Sequence, residues 1–308
     1  MINNNSNKPP IAVLMATFNG ALYLNEQIDS ILNQSLTPAI IIVSDDGSDD
    51  GTITILEKYA SEGKITFIKN DIRRDVVGNF IHCLHQLPAS YYFALSDQDD
   101  IWHPNKLEEC FYALKKIEQQ DQPCMVYSDL CLIDAQKNII NRSFRNELGH
   151  HKYKHSLETL LFGNFVLGCT TLCNYALKDY VIDMPSHSSF NHDAWMALVS
   201  YTFGQTYCID KALVDYRQHS SNVTIRSHTK KTVLNRYINH LKQLFTKNDF
   251  LEDRFPIVDL FYSQYKNSMD PKKRILFKSF LGLQDKNYLS KKIAFETAFY
   301  KHWTNRFS

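Results

Sequence analysis

Three aspartates, Asp97, Asp99 and Asp100, sit within four residues in the segment SDQDDIW, directly after the apolar run YYFAL. Like charges this close repel, so a folded chain keeps them either in a fully solvated turn or beside a cation that neutralises them. An Asp-x-Asp pair at a strand end can turn both carboxylates the same way, toward Mg²⁺ or Mn²⁺, whose remaining positions take phosphate oxygens. A second acidic cluster, SDDGSDD at 44–50, contains Asp45 and Asp46. Neither glycine-rich phosphate signature, G-x-G-x-x-G or G-x-x-x-x-G-K-[ST], follows the first apolar run, so a diphosphate would have to be held through a metal.

The elements that position these clusters follow from the apolar pattern. IAVLMATF (11–18) reads as a strand buried on both faces that stops at a polar loop, TFNG. Leu24, Ile28, Ile31 and Leu32 then fall at helical spacing, with Pro38 just beyond. AIIIVSDD is a second strand. The helix after it is capped by Asp50 or Ser48 and closed by Gly63. ITFIKN, VGNFIHCLHQL and YYFALSD continue as strand, helix and strand, which predicts a parallel α/β sheet. Ligands of such sheets bind beyond the carboxyl ends of the strands, so TFNG, SDDGSDD and SDQDD should converge on one edge.

The 308 residues are 44% hydrophobic and 22% charged, a globular composition. MINNNSNKPP lacks the build of a signal peptide, and no apolar run reaches the roughly 18 residues that span a bilayer, so the expected location is the cytoplasm. Seven cysteines without C-x-x-C spacing read as reduced, mostly buried thiols, Cys169 and Cys173 included. The net charge of +1 hides an asymmetry: residues 226–308 hold seventeen Lys and Arg against seven Asp and Glu, and residues 1–225 seventeen against twenty-six. KKTVLNRYINHLKQLF puts Val233, Leu234, Tyr237, Ile238, Leu241, Leu244 and Phe245 on one helical stripe among basic residues, and PKKRILFKSFLGL repeats the style. Such helices either lie on an anionic membrane surface or cap the main domain or a second subunit, which would make a homodimer. No nucleic-acid recognition motif is present, so no nucleic acid partner is expected.

In order and at sensible spacing, TFNG, IIVSDDGSDDGT, SDQDDIW, GCTTLCN (168–174), HDAW (192–195) and YRQHSSN (216–222) resemble the family 2 glycosyltransferases of the GT-A fold. Within that family they are similar to the bacterial rhamnosyltransferases of surface polysaccharide assembly. The resemblance covers about residues 10–225. It implies an α/β fold, a GT-A type, Rossmann-like and mostly parallel sheet flanked by helices, over residues 1–225; the charge and apolar stripes of 226–308 are read instead as a basic α-helical extension. It also implies metal-dependent, inverting transfer of a sugar from a nucleotide-sugar donor to a glycan or lipid-linked glycan acceptor at the inner face of the cytoplasmic membrane. The favoured donor is dTDP-L-rhamnose, with another hexose donor such as a UDP-sugar as the alternative.

The resemblance assigns roles residue by residue. Thr17, Phe18 and Asn19, with Asp45 or Asp46, form the nucleoside pocket, where a carboxylate accepts a base N–H. Asp97 faces the ribose or the donor sugar, Asp99 ligates Mg²⁺ or Mn²⁺, and His219 completes metal or diphosphate binding. Asp100 reads as a cap or turn residue. Asp193 is the general base, because an acceptor hydroxyl attacks only as its proton is removed. The family has Glu-Asp where this chain has His192-Asp193, and the histidine reads as structural. Arg217 meets the phosphates or pairs with an aspartate; Trp102 and Trp195 are sugar platforms or core. A sugar nucleotidyltransferase would need a glycine-rich loop where ATFNGALY offers only Gly20. An inactive sugar-nucleotide-binding scaffold would not need Asp97, Asp99 and Asp193 together.

Overall fold

β1 (Ile11–Thr17) is buried without a break from Ile11 to Met15, as a strand covered on both faces requires. The computed structural model describes residues 9–182, 184–185, 191–219 and 251–300. After β1, α1 (Ala21–Leu32) turns Leu24, Ile28 and Ile31 to the core, the face its apolar spacing predicts. β2 (Ile40–Asp45), α2 (Thr52–Ser61), β3 (Thr66–Lys69), α3 (Asp75–Gln86) and β4 (Tyr92–Ser96) continue the alternation. β1 pairs in parallel with β2 and with β4, and β2 with β3. Thr17 stands opposite Asp45 and Met15 opposite Ser96, so the loops after β1, β2 and β4 leave the same edge.

The remaining strands make the sheet mixed. β5 (Ile101–Trp102), α4 (Lys106–Ile117), β6 (Cys124–Asp134), β7 (Ile139–Asn141) and α5 (Phe144–Leu148) come next in the chain. They are followed by α6 (Leu157–Phe162), β8 (Thr171–Cys173), α7 (Tyr175–Val181), α8 (His192–Phe203) and β9 (Gln205–Gln218). The order across the sheet is β3-β2-β1-β4-β8-β6-β9-β5, with β7 on β6. β8 runs against both β4 and β6, while β6 and β9 are parallel. β9 also pairs antiparallel with β5, Ile101 opposite Asp215 and Trp102 opposite Val214. That short ladder carries the end of β9 alongside the acidic loop. All seven cysteines are free thiols, six of them buried.

The chain divides into two compact units, residues 1–147 with 166–218, and residues 148–165 with 219–308. The sheet belongs to the first. In the second, Ser156 and Thr159 form a capping box at the start of α6, and the Arg254 guanidinium donates to the carbonyls of Leu160 (2.9 Å) and Leu161 (3.4 Å) at its end. Phe162 of α6 meets Phe280 of helix Pro271–Leu281 and Phe295 of helix Tyr288–Tyr300, with ring centroids 5.1 and 5.9 Å apart. A further helix spans Phe255–Tyr265. The stripe from Val233 to Phe245 lies outside the described residues. Among those described, no helix is long and apolar enough to cross a membrane.

Candidate active site

Asp45, the last residue of β2, is wholly buried, and its carboxylate accepts four hydrogen bonds. The donors are the Thr17 hydroxyl (2.7 Å), the Ser48 hydroxyl (2.6 Å) and the backbone N–H groups of Gly47 (3.0 Å) and Ser48 (2.8 Å). A carboxylate has about four lone-pair positions, and here all are taken. The expectation that Asp45 offers an oxygen to a nucleobase is therefore corrected: it builds the turn. Thr17 is corrected with it, being buried with its hydroxyl committed to Asp45. Asp46 accepts from Asn70 Nδ2 (2.8 Å) and from the Arg74 N–H (3.2 Å to each oxygen). It keeps lone-pair capacity.

The loop after β1 is held from two sides. The Asn19 N–H donates to the Ser48 hydroxyl (2.9 Å), and the Asn19 side chain accepts from the Asp49 N–H (3.0 Å), which fixes Asn19 at φ 50°. Gln98, the middle residue of Asp-x-Asp, accepts from the Phe18 N–H (2.9 Å) and donates to the Phe18 carbonyl (2.9 Å). A Cβ on Gly20 would overlap the Gln98 carboxamide, so the residue type at 20 permits this bridge. Phe18 itself is 36% exposed, with the Arg73 guanidinium 4.1 Å from its ring centroid.

At the end of β4, Asp97 and Asp99 are partly exposed and Asp100 is wholly buried. Burial pushes the Asp97 carboxyl up to about 7, the charges of Asp99 and Asp193 push the same way, and Lys106 opposes them. Asp193, in the first turn of α8, thus acts on the same carboxyl as the loop residues. Asp100 is raised well above the usual carboxylate range by burial and then by Asp99 and Asp97. A carboxylate oxygen of Asp97, one of Asp100 and the Cys169 Sγ lie within 4.8 Å of one another. Burial is the first cause of both shifts, and the hard oxygen donors of Asp97 and Asp100 suit Mg²⁺ or Mn²⁺. Burial holds Cys169 as a thiol, well above its ordinary range.

Two expected contacts are corrected. Trp102 is 2% exposed on β5, and the Lys106 ammonium stands 3.2 Å from its ring centroid, so this ring is core and not a platform for a sugar. Trp195 is core as well. Arg217 is 1% exposed and its guanidinium pairs with the Glu26 carboxylate of α1, so the expected phosphate contact is corrected to an ion pair inside the fold. Asp100 is less a helix cap than a buried acceptor for the Arg217 N–H (3.2 Å). His192 packs its ring on Phe80 (centroids 4.5 Å apart) and against Gly168, where a Cβ would overlap it. Desolvation lowers it to about 4, so it is a neutral packing residue at pH 7. His219 follows the last residue of β9 and is partly buried.

Reasoning from sequence missed Gln98, Ser48, Asn70, Glu26 and Lys106. Gln98 carried a signal, its place between two candidate aspartates; Asn70 and Glu26 act on Asp46 and Arg217, 24 and 191 residues away.

Residues 12–181 match the family model described as glycosyl transferase family 2. The uncharacterized glycosyltransferase RP339 of Rickettsia prowazekii (strain Madrid E) is 27% identical over 217 residues, 70% of this chain and 66% of its own. The dTDP-rhamnosyl transferase RfbG of Shigella flexneri is 26% identical over 222 residues, 68% of this chain and 72% of its own. In fold, the chain is similar to the mannosyltransferase PcManGT from Pyrobaculum calidifontis, solved in complex with GDP-Man and Mn²⁺. The TM-score is 0.55 at 15% identity, over 95% of this chain and 74% of that one.

Proposed function

Because the chain belongs to glycosyl transferase family 2, we propose that it moves a sugar from a nucleotide sugar to a hydroxyl of a glycan or lipid-linked glycan, with inversion at the anomeric carbon. The observation that carries this reading is the meeting of Asp97, Asp99, Asp100 and Asp193 in one electrostatic cluster at the carboxyl edge of the sheet. Phe18, Asn19 and Asp46 receive the nucleoside, with Asp46 accepting a base N–H on its remaining lone pairs. Asp99, partly exposed at the end of β4, would hold Mg²⁺ or Mn²⁺, and His219 is a further ligand on the resemblance alone. When bound, the cation neutralises the diphosphate and so eases its departure.

Asp193 removes the proton from the acceptor hydroxyl. It stands in the first turn of α8, and a carboxylate is the group such a base requires. His192 contributes packing to that turn and no proton transfer. The donor we favour is dTDP-L-rhamnose, on the likeness of SDQDDIW and HDAW to rhamnosyltransferase segments and on the Shigella flexneri relative. A UDP-sugar or another hexose donor is the alternative. The basic excess of residues 226–308 supports peripheral contact with the anionic inner face of the cytoplasmic membrane, where a lipid-linked acceptor would be presented.

The test is transfer and donor binding with Mn²⁺ present or chelated, in wild type, Asp99→Asn and Asp193→Asn. Asp99→Asn should lose metal-dependent donor binding. Asp193→Asn should keep donor binding while turnover falls by about 10²–10⁴. Full activity in excess chelator, or a product with retained anomeric configuration, would refute the reading.

A further inference from the structure

Arg217 is a buried cation that joins the acidic loop to α1. Its Nε donates to the Asp99 carbonyl (2.8 Å) and its own backbone N–H to the Asp100 carboxylate (3.2 Å), so one residue holds the backbone of Asp99 and the side chain of Asp100. Nη1 donates to the Ala135 carbonyl (3.3 Å), and Nη2 pairs with Glu26, which Lys137 also contacts. The guanidinium lies 4.5 Å from the Tyr23 ring centroid. Glu26 and Tyr23 belong to α1, the helix that opens directly after the loop holding Phe18 and Asn19. The same group therefore ties the acidic loop to the helix behind the nucleoside loop.

Burying a guanidinium costs several kcal/mol before its partners offset the loss, and an apolar residue would fill the space more cheaply. Stability alone does not account for an arginine here. The planar fork does something an apolar side chain cannot: it sets two backbone carbonyls and a carboxylate at fixed angles.

The geometry points to Arg217, steered by Glu26, as a positioning residue that presets the Asp97–Asp100 loop for a divalent cation. It acts through Asp99 and touches neither metal nor donor, and it rests on the glycosyl-transfer reading in which Asp99 holds that cation. Outer partners of this kind change metal affinity by about 10–100-fold when altered.

The experiment is Mn²⁺ titration of the full chain, followed by the electron paramagnetic resonance of free Mn²⁺, in wild type, Asp99→Asn, Arg217→Lys and Glu26→Gln. Asp99→Asn should abolish binding. Arg217→Lys and Glu26→Gln should weaken it about 10–100-fold while the circular dichroism spectrum is unchanged. Their donor KM should rise at limiting Mn²⁺ and their kcat recover when Mn²⁺ is saturating, a split that a merely structural residue would not produce. Wild-type Mn²⁺ affinity in both variants, beside a dead Asp99→Asn, overturns the positioning role. Wild-type affinity in Asp99→Asn itself overturns the metal assignment, and this inference falls with it. Should Arg217→Lys fail to fold, Glu26→Gln decides, since that side chain is partly exposed.

Discussion

Asp45 ends β2 and Asp46 follows it in a different environment, and the difference is in their donors. The first is saturated by four bonds inside its own turn; the second keeps capacity toward the loop edge. His192 and Asp193 make a similar pair, one a packing ring, the other a charged group acting on Asp97. The histidine has a measurable consequence. Its folded-state pKa is lowered from the ordinary 6.5 to about 4 by desolvation, so the unfolded chain takes up a proton that the native chain refuses. Its contribution is therefore full above about pH 6.5 and is lost as pH falls toward 4. Urea unfolding of wild type and His192→Gln at pH 7.5, 6 and 5 should show wild type losing more stability than the variant over that range. Parallel pH profiles would mean that the ring is hydrated. The type and order of the candidate residues are legible because SDQDDIW and HDAW are short local segments that carry aspartates. Which of two adjacent carboxylates is free was not, since that depends on donors from Thr17 and Asn70, each more than twenty residues distant.

At the level of elements, continuous apolar runs gave β1, β2 and β4 almost to the residue, and helical spacing gave the buried face of α1. The pairings that complete the sheet were out of reach. β8 is three residues long and β5 two, too short for any period to register, yet β8 joins the two halves of the sheet and β5 brings Arg217 to the acidic loop. Trp102 illustrates the cost of that blindness: an aromatic beside an acidic motif looks like a platform until its strand is seen to pair with β9. Gly204 closes α8 against the start of β6, where a Cβ would overlap the Pro123 carbonyl. That carbonyl accepts the Gln205 N–H (3.0 Å), so it cannot move without parting β9 from β6 at their first rung. Gly204→Ala should therefore lower stability by about 1–3 kcal/mol, seen as a lower thermal midpoint. An unchanged midpoint would show that the two strands yield at that end.

Over the whole molecule, charge and exposed apolar surface are unevenly shared. In the second unit Ile275 is 64% exposed, Leu289 58% and Ile293 57%, on helices that also carry Lys272, Lys278 and Lys292. If this surface meets an anionic bilayer, the full chain should sediment with anionic liposomes at low salt and be released at high salt, each basic residue near the surface adding about 1 kcal/mol. Lys272→Glu with Lys278→Glu should weaken that binding; a full chain that stays in the supernatant at low salt defeats the idea. The grip of Arg217 on the loop at 97–100 has a consequence in time. Its bond to Asp99 closes a span of 118 residues, and β5, which flanks that loop, has β9 as its sheet partner. A nascent chain can thus lay down β1, β2, β3 and β4 and join Gln98 to Phe18 as it emerges, but the Arg217 brace on the acidic loop forms only once residue 217 has left the ribosome. The Arg217 brace is consequently a late event in the first unit, and an incomplete chain carries the aspartates at 97–100 without it.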